Sequence, residues 1–133
     1  VNPLAKAFTI LIADRNPHIL QFLRRELTVE GYTVLLAKTG KEIVENLRGG
    51  RPLHAIILDP DLRDMGGVII IKMISENLPK VPVIIHTFST QLFLMPPASG
   101  STLFVEKNGN SIQRIKEILP ALLLADAMHH SES

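Results

Sequence analysis

Apolar and polar positions in this chain are arranged in blocks. Short unbroken apolar runs are followed by longer stretches in which apolar residues recur every three or four places. Thr9-Ile10-Leu11-Ile12-Ala13 and Ala55-Ile56-Ile57-Leu58 are runs of the first kind. Such runs leave no face for water and predict strands buried on both sides. After the first run, Asn16-Pro17 predicts a helix start, with Ile19, Leu20, Leu23 and Leu27 at helical spacing and Gly31 as its end. Tyr32 to Ala37 predicts a second strand. Thr39-Gly40-Lys41-Glu42 has the form of a capping box opening a short helix through Ile43, Val44 and Leu47, which ends at Gly49-Gly50.

The segment Val68-Ile69-Ile70-Ile71-Lys72-Met73-Ile74 is locally ambiguous, because its β-branched residues favour a strand. Two parallel strands need a crossover between them, usually a helix, and this is the one segment available before Val81-Pro82-Val83-Ile84-Ile85. A helix is therefore predicted, greasier than one buried face requires. The fourth strand ends near Thr87. Phe88 to Gly100 contains Leu92-Phe93-Leu94-Met95 and then Pro96-Pro97, which precludes a long regular helix. Thr102 to Glu106 predicts a fifth strand, followed by Lys107. Asn110 is placed to cap a last helix with Ile112, Ile115, Ile118 and Leu119 facing the core, and Pro120 is expected to kink or end it. The expected organisation is an extension over 1–7, one domain over 8–124 and a tail over 125–133. Strands alternating with helices predict an α/β fold with a doubly wound, five-stranded parallel sheet.

Composition narrows the class of function. The 133 residues are 46% hydrophobic, enough for a self-standing core, and the net charge of +1 offers no broad attraction to nucleic acid or anionic membrane. Zero cysteines exclude disulfides and thiolate metal sites and fit a reducing cytoplasm. No apolar stretch approaches the roughly 18 residues needed to span a bilayer, and Val1 to Lys6 has no signal-peptide architecture. The chain opens on valine rather than methionine, so a piece of a longer protein is expected. The glycine-rich dinucleotide fingerprint, the P-loop and the hydrolase elbow are all missing from the sequence.

The candidate chemistry sits at strand ends. Asp14 and Asp59 each close an apolar run, and the carboxyl ends of strands are where open α/β sheets place their ligands. Two bare carboxylates about 5 Å apart would repel by roughly 3 kcal/mol at an effective dielectric near 20, so a cation must offset them. The ordered set of segments resembles response-regulator receiver domains. Ile10 to Pro17 is similar to that family's first strand with its acidic pair and proline. Ile57-Leu58-Asp59-Pro60-Asp61 through Met65-Gly66-Gly67 is similar to the phosphoacceptor segment. Pro82 to Thr87 resembles the fourth strand with its hydroxyl, and Phe104-Val105-Glu106-Lys107 the fifth with its lysine.

The resemblance implies a flavodoxin-like strand order 2-1-3-4-5 and a signalling domain rather than an enzyme. It implies Asp59 as the acceptor of a phosphoryl group from a histidine kinase or phosphotransfer protein, forming a 4-aspartylphosphate. Mg²⁺ would be held by Asp14, Asp59 and the Asp61 backbone carbonyl. Thr87 would hydrogen-bond the phosphoryl oxygens and Lys107 would pair with their charge. Output to an effector would run through the family's fourth-helix, fifth-strand and fifth-helix face, with no nucleic acid or membrane bound by the domain itself. Phe104 stands at the family's aromatic switch position, and core packing is an equal reading of it.

Two departures carry weight. Arg15 stands where the second acid of the pair belongs, so weak Mg²⁺ binding is expected, with Arg15 free to pair with Asp14 or Asp59 or to reach a phosphate. Asn108 follows Lys107 where the family usually has proline. The alternative reading is a pseudo-receiver, an interaction module in which Arg15 supplants the metal. Of the five histidines, His86 is expected to point away from the Thr87 face by strand alternation, and His129-His130 to lie in the tail.

Overall fold

In the computed structural model, which describes residues 7–88 and 102–131, all five expected strands form one parallel sheet. The elements in chain order are β1 (Thr9–Ala13), α1 (Pro17–Val29), β2 (Thr33–Ala37), α2 (Gly40–Arg48), β3 (Ala55–Leu58), α3 (Gly67–Asn77), β4 (Val83–Thr87), β5 (Thr102–Glu106) and α4 (Ser111–Ser131). The spatial order is β2-β1-β3-β4-β5, as the family resemblance implies. The expectations for Phe88 to Gly100, including an irregular fourth helix and the Leu92 to Met95 surface, lie outside the described residues from position 89 onward.

The sheet is buried on both faces, which is why its central strands read as continuous apolar runs. Strand alternation divides them. Ile10, Ile12, Ile57, Ile84 and Val105 face a layer made by Leu20, Leu23 and Leu27 of α1 and Ile115, Leu119 and Leu123 of α4. Leu11, Ala13, Ile56, Leu58 and Ile85 face Ile43 of α2 and Ile70 and Ile74 of α3. Phe104 packs against this second layer, in agreement with the core reading of that residue.

The helix signals act where the sequence places them. Asn16 caps α1, its side chain accepting from the His18 and Ile19 amides at 2.9 and 3.4 Å, and Pro17 sits in the first turn. Gly31 takes φ 106°, the left-handed turn that ends α1 and that favours glycine. Thr39 accepts from the Glu42 amide at 3.1 Å, while Glu42 reaches back to the Lys38 amide, one residue earlier than in the standard capping box. The segment Gly67–Asn77 is helical despite its β-branched residues, because the crossover from β3 to β4 requires it. Val68 and Ile69 remain largely exposed on its outer side, at 58% and 62%.

Of the two outcomes expected at Pro120, a kink or an end, the end is overturned: the last helix runs on past it to Ser131. Proline removes one backbone donor from the helix interior. Leu119 and Leu123, both buried in the α1 layer, clamp the helix to the sheet on either side of that gap. Asn110 supplies its carbonyl to the Arg114 amide, whereas the side-chain bonds at this helix start come from Asn108 and Ser111.

Candidate functional site

The backbone ladder of the sheet continues one residue past the strand ends and sets the site. The Asp14 amide donates to the Ala37 carbonyl at 3.0 Å, the Asp59 amide to Ala13 at 2.9 Å, and the Lys107 amide to Thr87 at 2.8 Å. Asp14, Asp59, Thr87 and Lys107 are thus held in one row at the crest, across the point where the strand order reverses between β1 and β3.

Lys107 Nζ lies 2.7 Å from Asp14 Oδ2 and 2.6 Å from Asp59 Oδ2, and all three side chains are less than a tenth exposed. It is the cation that the two carboxylates require. Asp59 Oδ1 accepts from Thr87 Oγ1 at 3.0 Å and from the Asp61 amide at 2.9 Å. Asp14 Oδ1 accepts from the Asn16 amide at 2.9 Å. Every carboxylate oxygen of the pair therefore has a donor, and two anions share one ammonium, leaving one negative charge in a buried place. That excess charge can be relieved by a proton or by a second cation.

Burial is the largest influence on Asp14 and pushes its carboxyl above the usual range, against the lowering effects of Lys107 and the Asn16 amide. For Lys107, burial is again the largest single influence and pulls downward. The hydrogen bonds and charges of Asp14 and Asp59 together outweigh it and hold the ammonium above its ordinary value. Phe88 adds a ring 5.3 Å from Nζ.

Arg15 does not enter this pocket. Its guanidinium pairs with Asp61 Oδ2 at 3.3 Å, with both side chains nearly half exposed. The expected pairing with Asp14 or Asp59 is therefore corrected, because Lys107 already occupies the space between those two. A hard dication suits the donor set in kind, since Mg²⁺ is commonly held by one or two carboxylates plus water and phosphate oxygens. Asp14 and Asp59 would supply those carboxylates. The count is small, however: no group of three or more His, Asp or Glu side chains placed to hold a metal ion occurs among the described residues. The Asp61 carboxylate is engaged by Arg15 outside the pocket.

Two features were not legible in the sequence. Asp64 accepts from the Gly40 and Lys41 amides at 2.8 and 3.0 Å, so the loop after Asp59 is pinned to the start of α2. These bonds hold the Asp64 carboxyl below its usual range. Gly40 is needed for that approach, since a Cβ there would come within 2.8 Å of Met65 Cβ. No local pattern announces a cap supplied from 24 residues away. His86 is the second feature. It points away from the Thr87 side as expected, but it is buried and its Nε2 lies 2.9 Å from Ser111 Oγ on α4.

Burial, followed by the nearby Lys107 charge, lowers the His86 pKa to about 4, with Asp59 opposing. The native ring is neutral where the unfolded chain, near 6.5, begins to take a proton. Stability from this group is present above pH 6.5 and is lost as pH falls towards about 4. The loss should be on the order of 3 kcal/mol across that window. Asp14, with its raised pKa, works in the opposite direction at lower pH, because the native state protonates it first. Urea melts at pH 7 and pH 4.5 on the parent and on His86→Gln check this. An equal acid loss in the two proteins would rule out His86 as its source.

Comparison with known proteins agrees with this geometry. A family model for the response regulator receiver domain matches residues 10–118. Response regulator RR06 of Streptococcus pneumoniae is 34% identical over 76 residues, covering 57% of this chain and 34% of that protein. Transcriptional regulatory protein KdpE of Mycobacterium tuberculosis is 41% identical over 59 residues, covering 44% and 26%. The matched part thus spans about a third or less of these curated relatives. Among solved structures, response regulator protein TrrA of Thermotoga maritima, crystallised with Mg(2+)-BeF, superposes with a TM-score of 0.75 at 25% identity, over 86% of this chain and 98% of that one. The signal receiver domain of an HD domain-containing protein from Pseudomonas fluorescens shares the fold at a TM-score of 0.81, with 21% identity over 100% and 98% of the two chains. With its strand order, its paired strand-end aspartates and the family match over most of its length, the chain belongs to the response regulator receiver domain family.

Proposed function

We propose that this domain, residues 8–124, accepts a phosphoryl group on Asp59 from a histidine kinase or phosphotransfer protein in the cytoplasm. The observation that carries this reading is the buried Asp14–Lys107–Asp59 cluster with Thr87 hydrogen-bonded to the same Asp59. An Asp59 oxygen attacks phosphorus, and the bond from phosphorus to the donor's nitrogen or acyl oxygen breaks, its electron pair leaving with the donor. Such transfer depends on position and on neutralising charge rather than on covalent help from the protein. Lys107 then faces the phosphoryl charge, and the Thr87 hydroxyl turns from the carboxylate to a phosphoryl oxygen. Mg²⁺, held by Asp14, Asp59 and the Asp61 carbonyl, would neutralise further charge when bound. The modification adds about −1.5 to −2 charges at the crest. This biases a two-state equilibrium that an effector reads, through the face formed around β5 and α4.

Incubation with acetyl phosphate and Mg²⁺ followed by intact mass tests this. One added phosphoryl group is expected, and no adduct under conditions that label a known receiver would sink the reading. The pseudo-receiver alternative finds no support in the comparisons, and Arg15 pairs with Asp61 outside the pocket. Arg15 still places a fixed positive charge near a dication's position. Arg15→Asp is therefore expected to raise Mg²⁺ affinity by about tenfold or more, since it exchanges a repelling charge for a hard ligand. Calorimetric titration with Mg²⁺ measures it. An unchanged affinity would mean that position 15 does not border the metal position.

A further inference from the structure

Asn108 follows Lys107, and beside the bonds from the Asn110 amide to the Asn108 side chain and from the Ser111 amide to the Asn108 carbonyl, one hydroxyl ties this turn to β4. Ser111 Oγ donates to the Asn108 carbonyl at 2.9 Å, accepts from the Asn108 amide at 3.3 Å, and lies 2.9 Å from His86 Nε2. A serine hydroxyl has one donor and two acceptor positions. With the donor spent on Asn108, the His86 bond is satisfied when the neutral ring carries its proton on Nε2 and donates. Ser111 Oγ is then saturated, and both it and His86 are buried, at 4% and 2% exposure. His86 is the residue before Thr87, whose carbonyl receives the Lys107 amide. Lys107 is thereby tied to the end of β4 at its own amide and, one residue on, through Asn108, Ser111 and His86.

We infer that His86, acting through Ser111, is a positioning residue for Lys107: its hydrogen bond staples the Lys107-Asn108 turn to β4 and sets where the ammonium stands between Asp14 and Asp59. This rests on the role proposed above for Lys107 in phosphoryl transfer. A histidine that merely filled the core would stabilise the protein without affecting the ammonium. The staple makes a different demand, because a shift of the turn moves Nζ off at least one carboxylate.

Ser111→Ala removes the hydroxyl with little change in volume, and His86→Leu removes the donor. His86→Gln keeps an N–H able to reach Ser111. Nitrogen-detected NMR at pH 7 should show the wild-type His86 ring neutral and protonated on Nε2. The Lys107 Nζ resonance should shift in Ser111→Ala and His86→Leu and return towards the wild-type position in His86→Gln. With acetyl phosphate, the first two variants should lose about tenfold in the rate at saturating donor, with the half-saturating concentration nearly unchanged, and His86→Gln should recover most of it. Should His86→Leu fail to fold, Ser111→Ala alone decides. A folded Ser111→Ala with the wild-type Lys107 resonance overturns the inference, as does a wild-type ring protonated on Nδ1. Absence of phosphorylation in the wild type would instead count against the proposed function, while the Lys107 resonance still decides the positioning.

Discussion

Asp59→Asn should abolish the phosphoryl adduct while leaving the domain at least as stable as the parent. Asparagine keeps the oxygen that accepts from Thr87 Oγ1 and the Asp61 amide, so those two hydrogen bonds persist, while its NH2 replaces the oxygen that accepted from Lys107. What it removes is one of two carboxylates that share a single buried ammonium. Lys107 is then left paired one to one with Asp14, and the excess negative charge of the pocket is gone. Carboxylates about 5 Å apart repel by roughly 3 kcal/mol at an effective dielectric near 20. Only part of that is recovered, because the pairing of Asp59 with Lys107 is lost too. An unchanged or slightly raised denaturation midpoint is therefore expected together with complete loss of the mass increment. An adduct that survives in Asp59→Asn places the acceptor elsewhere. A large destabilisation would mean that the Asp59–Lys107 attraction exceeds the repulsion from Asp14.

The strand ends were legible because their signals are local. An apolar run that stops on a charged residue states both the strand and its end, and the order of such runs gives Asp14, Asp59, Thr87 and Lys107 one edge of one sheet. The helical state of Gly67–Asn77 followed from topology against its own β-branched composition. The contacts that finish the site were out of reach, because each joins side chains to distant positions. Arg15 could have paired with several acids, and only the three-dimensional course of the loop after β3 brings Asp61 to it. Asp64 capping α2 and His86 meeting Ser111 likewise have no periodicity to betray them. The course of α4 beyond Pro120 depends on Leu119 and Leu123 reaching the α1 layer, a fact of packing that overrides the local proline signal.

Lys107→Met is expected to cause the largest loss of stability of any single change at the site, and acid should relieve it. Methionine approximates the stem of lysine, so the main loss is the charge. Asp14 and Asp59 then face each other without a cation in a pocket where both are nearly inaccessible to water. Removing one partner of a buried ion pair costs about 3–5 kcal/mol, and here two anions lose the same partner. In the parent, the raised pKa of Lys107 means that its contribution is complete below its ordinary value of 10.5 and is lost only as pH rises through the native value. In the variant the sensitive groups are the carboxylates. Burial already raises Asp14 in the parent, and without Lys107 the lowering influences of its hydrogen bond and charge vanish. Asp14 then takes up a proton above the pH at which it does so in the unfolded chain, so variant stability rises as pH falls from 7 towards 5. Urea denaturation of both proteins at pH 7 and pH 5 measures this. The expected gap is several kcal/mol at neutrality and smaller in acid. A gap that is absent at pH 7, or that widens on acidification, would show that Lys107 is not what makes two buried carboxylates tolerable.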